Sequence, residues 1–171
     1  AHMLFGYEAV PYFDPDYYPL LLFSQAAGEG SSSRLFQSVR EDRGLAYSIG
    51  TSVGAWRDTG MLTVYLATAR REAQHATDLS RDILRETATT LTEEELARAK
   101  AQIRSTILMA LESVQGRADR LGFQIRVHGR PLDLATVVEK IGAATIDQVR
   151  GVAGRVIEGR ETLATVGPAL K

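Results

Sequence analysis

The sequence contains no cysteine, three histidines and one tryptophan, and its positive and negative charges nearly cancel, leaving a formal net charge of −1. Without cysteine there are no disulfides, thiolate nucleophiles or cysteine metal sites, and the redox compartment stays open, so cytoplasm and periplasm fit equally well. His2, His75 and His128 lie far apart, and none has a histidine or carboxylate at ligand spacing such as His-x-x-Glu-His or His-Glu-x-x-His. No metal site is expected within these residues, and His75 and His128 read as exposed helix residues. The balanced charge argues against a role on nucleic acid or an anionic membrane surface, which normally needs clustered Lys and Arg. The longest apolar run near the start, Pro19 to Phe23, falls far below the ~20 residues of a membrane span.

What is present suits one globular domain: 171 residues, 44% hydrophobic and 24% charged. Ala1-His2-Met3 reads as an expression scar, which leaves residues 4–171 as a single domain and suggests a piece of a longer protein. Leu4 to Val10 predicts a strand closed by Pro11. Asp14-Pro15-Asp16 predicts a helix start, with Asp14 as cap and Pro15 at the first helical position, where its missing N–H has no partner to lose. Tyr18, Leu21, Leu22 and Gln25 continue at helical spacing until Gly28 and Gly30. Tyr47, Ile49 and Val53 mark a strand from Ala46 to Trp56, which Arg57-Asp58-Thr59-Gly60 turns into a second, Met61 to Ala69. In that strand Leu62, Val64 and Leu66 share one face.

Glu72 to Thr87 returns to helical period through Ala76, Leu79 and Ile83. Thr92 and Glu95 form a capping box opening a long helix along Leu96, Ala99, Ile103 and Ile107. Gly116 marks a break, and the apolar residues from Ala118 to Val127 lack a clean period, although helix suits the context. Leu134 to Ile141 predicts a short helix, Thr145 caps another through Val156, and Thr162 to Val166 predicts a closing strand. The expected fold class is α+β: a mostly antiparallel sheet with helices packed over one face.

Between Gly28 and Gly50 a glycine-serine loop, a short helix and a strand follow without slack. Ser31, Ser32 and Ser33 offer caps, Leu35, Phe36 and Val39 an apolar face, and Gly44 a left-handed stop, so Arg40 and Tyr47 fall across one helix-to-strand corner. The serines have no Gly-x-Ser-x-Gly setting or histidine partner and read as caps rather than nucleophiles. Gly28-Glu29-Gly30 lacks the third glycine of a dinucleotide fingerprint. Glu93, Glu94 and Glu95 favour a helix N-terminus and read as structural. Arg40 and Tyr47 have structural readings too, as a helix-terminal cation and an amphipathic strand aromatic. Their chemical reading is a guanidinium and a phenol that both donate to a peptide carbonyl as it becomes an oxyanion.

The run Ser32-Ser33-Arg34-Leu35-Phe36-Gln37-Ser38-Val39-Arg40-Glu41-Asp42-Arg43-Gly44-Leu45-Ala46-Tyr47-Ser48 resembles the C-terminal half of zinc metallopeptidases of the pitrilysin and mitochondrial processing peptidase family. Gly6 to Val10, Asp14 to Leu20, Leu91 to Lys100 and Gly129 to Pro131 extend the likeness over nearly the whole chain. The resemblance implies two similar halves closing on a peptide, with zinc on the N-terminal half in a His-x-x-Glu-His motif. The C-terminal half would supply an Arg, and a Tyr seven positions later, to the substrate carbonyl; the matching residues are Arg40 and Tyr47. Gly28 and Gly30 are a short counterpart of the family's substrate loop. No inverted zinc motif occurs in these residues. The implied function is therefore the substrate-binding C-terminal domain of a zinc metalloendopeptidase. It would hold no cofactor itself and be inactive alone, with zinc on an N-terminal half or partner subunit and a peptide as substrate. The alternative is a non-catalytic assembly subunit of the same fold, as in respiratory-chain core proteins.

Overall fold

The computed structural model describes residues 1–167. Strand β1 (His2–Ala9) is followed by helix α1 (Tyr17–Gly28), a π-helix (Phe36–Glu41), and the hairpin β2 (Ser48–Ala55) and β3 (Gly60–Ala67). A 3₁₀ turn (Arg70–Glu72) leads to α2 (Ala73–Thr90), α3 (Glu93–Ala110), α4 (Val114–His128), α5 (Leu134–Ala143) and α6 (Ile146–Ile157), and β4 (Glu161–Val166) closes the sheet. The four strands lie in the order β2-β3-β1-β4, with all neighbours antiparallel. The fold is the α+β class expected.

Period-two alternation sets the two faces of the sheet. Met3, Phe5 and Tyr7 on β1, Leu62, Val64 and Leu66 on β3, and Ile49 and Thr51 on β2 are buried on one face. They join Leu20, Phe23 and Ala27 of α1, Ala76 and Leu84 of α2, and Val149, Val152 and Val156 of α6 in one core. Leu4, Met61 and Tyr65 alternate onto the open face and are exposed. The capping box at Thr92 and Glu95 forms as expected, and Thr145 caps α6 through a second box with Gln148.

Several local expectations are overturned. Helix α1 begins at Tyr17, not Pro15, because the Asp14 carboxylate accepts the Asp16 N–H at 2.8 Å and closes a turn that contains Pro15. The serine run does not cap: the Ser33 hydroxyl donates to the Gly30 carbonyl at 2.8 Å, and the helix it precedes is wound as π. The β3 strand ends at Ala67, and α2 starts at Ala73 after the 3₁₀ turn. Gly116 does not break a helix but sits in the first turn of α4, its N–H donating to the Ser113 hydroxyl at 2.8 Å. A side chain there would strike the Ala110 carbonyl oxygen at 2.1 Å. On α4 the usual burial is inverted: Gln124 is buried and accepts the Leu132 N–H at 3.0 Å, whereas Leu121 and Ile125 are exposed. The missing apolar period there reflects a helix that turns Gln124 onto a loop amide and otherwise meets the domain through Phe123 and His128, whose rings lie 5.3 and 4.8 Å from that of Tyr12. Strand β1 also takes in His2 and Met3, whose pairing with β3 says nothing of their origin.

Candidate functional site

The corner between the π-helix and β2 is built by three devices. Arg40 lies in the last turn of the π-helix, and the Leu45 N–H reaches back to the Val39 carbonyl at 2.9 Å while the Gly44 N–H reaches the Arg40 carbonyl at 3.1 Å. This satisfies carbonyls that a helix end leaves orphaned. Gly44 adopts φ +59°, the left-handed conformation that glycine enters at least cost. The following segment is then pinned to the end of β3: the Thr68 hydroxyl donates to the Leu45 carbonyl, and the Tyr47 N–H donates to the Ala67 carbonyl at 2.8 Å. Ala46 is buried between these anchors.

Both predicted donors point outward from this rigid base. The Tyr47 side chain is 75% exposed. It lies in a bend before β2 rather than within the strand expected from Ala46, so it escapes the alternation that buries Ile49. The Arg40 guanidinium is half exposed, rests 4.7 Å from the Phe36 ring centroid and stands 3.7 Å from the Glu41 carboxylate. An exposed cation over a ring and an exposed ion pair each contribute at most ~1 kcal/mol, so the guanidinium swings away at little cost. Among the described residues no hydrogen bond joins Arg40 to Tyr47; they share a corner, with their donor groups open to an outside acceptor. Neither points into the core.

The two loop glycines differ. Gly28 is buried at the end of α1, where a Cβ would lie 2.4 Å from Cγ2 of Thr51 and 2.6 Å from its hydroxyl. Its role here is close packing of α1 on β2. Gly30 is exposed at φ +83°. Beneath this loop the Ser24 hydroxyl donates to Glu29 at 2.8 Å, and the Thr51 hydroxyl donates to the Ser24 carbonyl at 2.8 Å. Burial pushes the Glu29 carboxyl above its ordinary pKa, partly offset by the Ser24 bond.

Tertiary pairings that sequence reasoning did not find fix the loop from the other side. Arg34 clasps Glu95 with two parallel bonds of 2.6 and 2.7 Å and also donates to the Thr90 hydroxyl and carbonyl at 2.7 and 3.0 Å. Glu95 is the capping-box acceptor for the Thr92 N–H at 2.8 Å, so one carboxylate ties the start of α3 to the segment entering the π-helix. Gln102 bridges Gln25 and Ser32 at 3.1 and 3.0 Å. Arg34 and Glu95 stand 61 positions apart, and only the fold brings them together.

Among the described residues no group of three or more His, Cys, Asp or Glu side chains is placed to hold a metal ion, so the residues present do not fit a zinc site. No helix there is long and apolar enough to cross a membrane.

Comparison with known proteins identifies the family. Residues 1–103 match the family described as the peptidase M16 inactive domain. The chain belongs to the peptidase M16 family and corresponds to its inactive, C-terminal domain. It is 30% identical to the uncharacterized zinc protease YmxG of Bacillus subtilis over 99% of this chain and 42% of that protein. It is 34% identical to an uncharacterized zinc protease of Rickettsia bellii over 97% of this chain and 40% of that one. The chain therefore spans about two fifths of the length of these relatives. In fold it matches the crystal structure of a peptidase M16 inactive domain from Pseudomonas fluorescens, with a TM-score of 0.79, 21% identity, and coverage of 95% of this chain and 39% of that one. It also matches a chain of Complex III2 from Candida albicans, with a TM-score of 0.85, 18% identity, and coverage of 95% and 42%.

Proposed function

We propose that this chain is the substrate-binding C-terminal half of a zinc metalloendopeptidase, with Arg40 and Tyr47 donating hydrogen bonds to the scissile carbonyl. Zinc would be held by an N-terminal half or a partner subunit, and the chain alone would be inactive. The observation that carries the reading is the corner itself. Two strong donors stand exposed on a segment whose backbone is fixed by Gly44, Thr68 and Ala67, as preorganised stabilisation of a developing negative charge requires. Gly30 would offer exposed backbone to the peptide, with Gly28 setting the seat of that loop on β2. The relatives named as zinc proteases, at 30 and 34% identity, support the peptidase reading over the assembly subunit, since the likeness to the Complex III2 chain at 18% identity speaks to fold alone.

The test is Tyr47→Phe in the complete two-half enzyme. Because the side chain is mostly exposed, folding should be unaffected, and kcat should drop by roughly 10²–10³ with KM little changed, as for loss of one transition-state donor. An unchanged kcat would overturn the role.

A further inference from the structure

At the opposite end of α1 from Gly28, about 18 Å away along a helix of twelve residues, a cavity of about 460 Å³ opens between the start of α1, the end of α4 and α5. It falls within the size range of small-ligand sites. Its wall is aromatic: the His128 ring lies 4.8 Å from Tyr12 and 5.0 Å from Phe13, centroid to centroid, and Phe13 is half exposed although apolar. Two cations face the same space. Lys140 sits 5.8 Å from the Tyr18 ring centroid, and Arg130 follows the left-handed end of α4 at Gly129. Neither forms an ion pair among the described residues, whereas Arg34, Arg81 and Arg155 all do.

The acid in the lining, Asp14, already accepts the Asp16 N–H through Oδ1. Nε2 of His128 is buried and has no hydrogen-bond partner among the described residues. Desolvation, and then the charges of Lys140 and Arg130, hold the His128 imidazole below its ordinary pKa, so near neutral pH it is an uncharged ring.

We propose that this cavity binds a carboxylate carried on an apolar or aromatic body, as at the C-terminus of a peptide or in a small aromatic acid, with Lys140 and Arg130 meeting the carboxylate and Tyr12, Phe13 and Tyr18 the apolar group. Each half of such a ligand answers one feature that the fold leaves unpartnered. Among the described residues the cations pair with no anion, and Phe13 is half exposed. A bare inorganic anion would satisfy only the first. The assignment needs this chain alone and does not rest on the peptidase reading.

The probes are N-acetyl-leucyl-phenylalanine, its C-terminal amide, 3-phenylpropionate and inorganic phosphate, each titrated into the chain by calorimetry and by NMR of the His128 and Phe13 signals. The dipeptide acid should bind at least tenfold more tightly than its amide, shift those two signals, and weaken with added salt. Lys140→Gln and Arg130→Gln, both at exposed positions, should each reduce its affinity several-fold while leaving the amide unaffected. Phe13→Ala should weaken acid and amide alike. Binding of 3-phenylpropionate as tight as that of the dipeptide acid supports the site with a small acid as its source, and much weaker binding supports it with a peptide terminus. Equal affinity for acid and amide, phosphate binding that matches the dipeptide acid, or shifts that bypass His128 and Phe13 would each overturn the proposal.

Discussion

Replacing Glu95 by Gln removes a charge that serves two elements at once. In the folded chain the Arg34 hydrogen bonds hold the Glu95 carboxyl at about 2, against an ordinary 4.5, with burial partly opposing and the Thr92 bonds assisting. That displacement corresponds to about 3 kcal/mol, and about 2–3 kcal/mol remains once the water reaching both side chains is allowed for. The folded-state pKa lies below the unfolded one, so the stabilisation is complete above about pH 4.5 and is lost as the pH falls towards 2. Urea unfolding followed by circular dichroism should therefore place Glu95→Gln about 2–3 kcal/mol below the parent at pH 7, with a midpoint temperature ~5–10 °C lower. The gap should narrow between pH 4.5 and 2 as the parent becomes protonated. Arg34→Met should cost about as much, and the double variant distinctly less than the sum. A gap below ~0.5 kcal/mol at pH 7, or one that stays constant from pH 7 to 3, would refute the claim that this pair clamps the segment entering the π-helix.

Two glycines of the same region should fail for different reasons. Gly28→Ala drives a Cβ into Thr51 and should cost ~1–3 kcal/mol by overpacking, whereas Gly44→Ala meets nothing within 4 Å and should cost ~1–2 kcal/mol from its left-handed backbone alone. A second change, Thr51→Ala, should recover part of the first loss and none of the second; unfolding midpoints that show no such selectivity would count against the packing account. Glu161 accepts the Tyr7 hydroxyl at 2.8 Å and Arg81 at 2.5 to 3.1 Å, tying edge strand β4 to β1 and α2. Glu161→Gln should lower amide-exchange protection in β4 by ~1–3 kcal/mol while β3 stays protected, and unchanged β4 protection would sink that account.

Much of the fold was legible because its signals are local. The alternation of Leu62, Val64 and Leu66, the capping box from Thr92 to Glu95, the cap at Thr145 and the left-handed Gly44 each depend on residues a few positions apart, and each appears where expected. The misread positions share a cause. Asp14 and Ser33 have side chains that satisfy helix ends and turns equally well, and which backbone group they meet depends on where the next element packs. On α4, a buried Gln124 beside exposed Leu121 and Ile125 follows from a loop amide at Leu132 that no periodicity reveals.

The candidate site divides in the same way. The sequence by itself determined the corner: the spacing of Arg40, Gly44 and Tyr47 is fixed by one helix end and one strand start, because a chain can only turn there in a conformation glycine allows. Tertiary structure alone decided that Tyr47 leaves the strand's alternation for solvent, that Gly28 is a packing contact against Thr51, and that Arg34 finds Glu95 across 61 residues. These are distances between segments remote in sequence, set when the helices close over one face of the sheet and each side chain meets whichever neighbour that closure supplies.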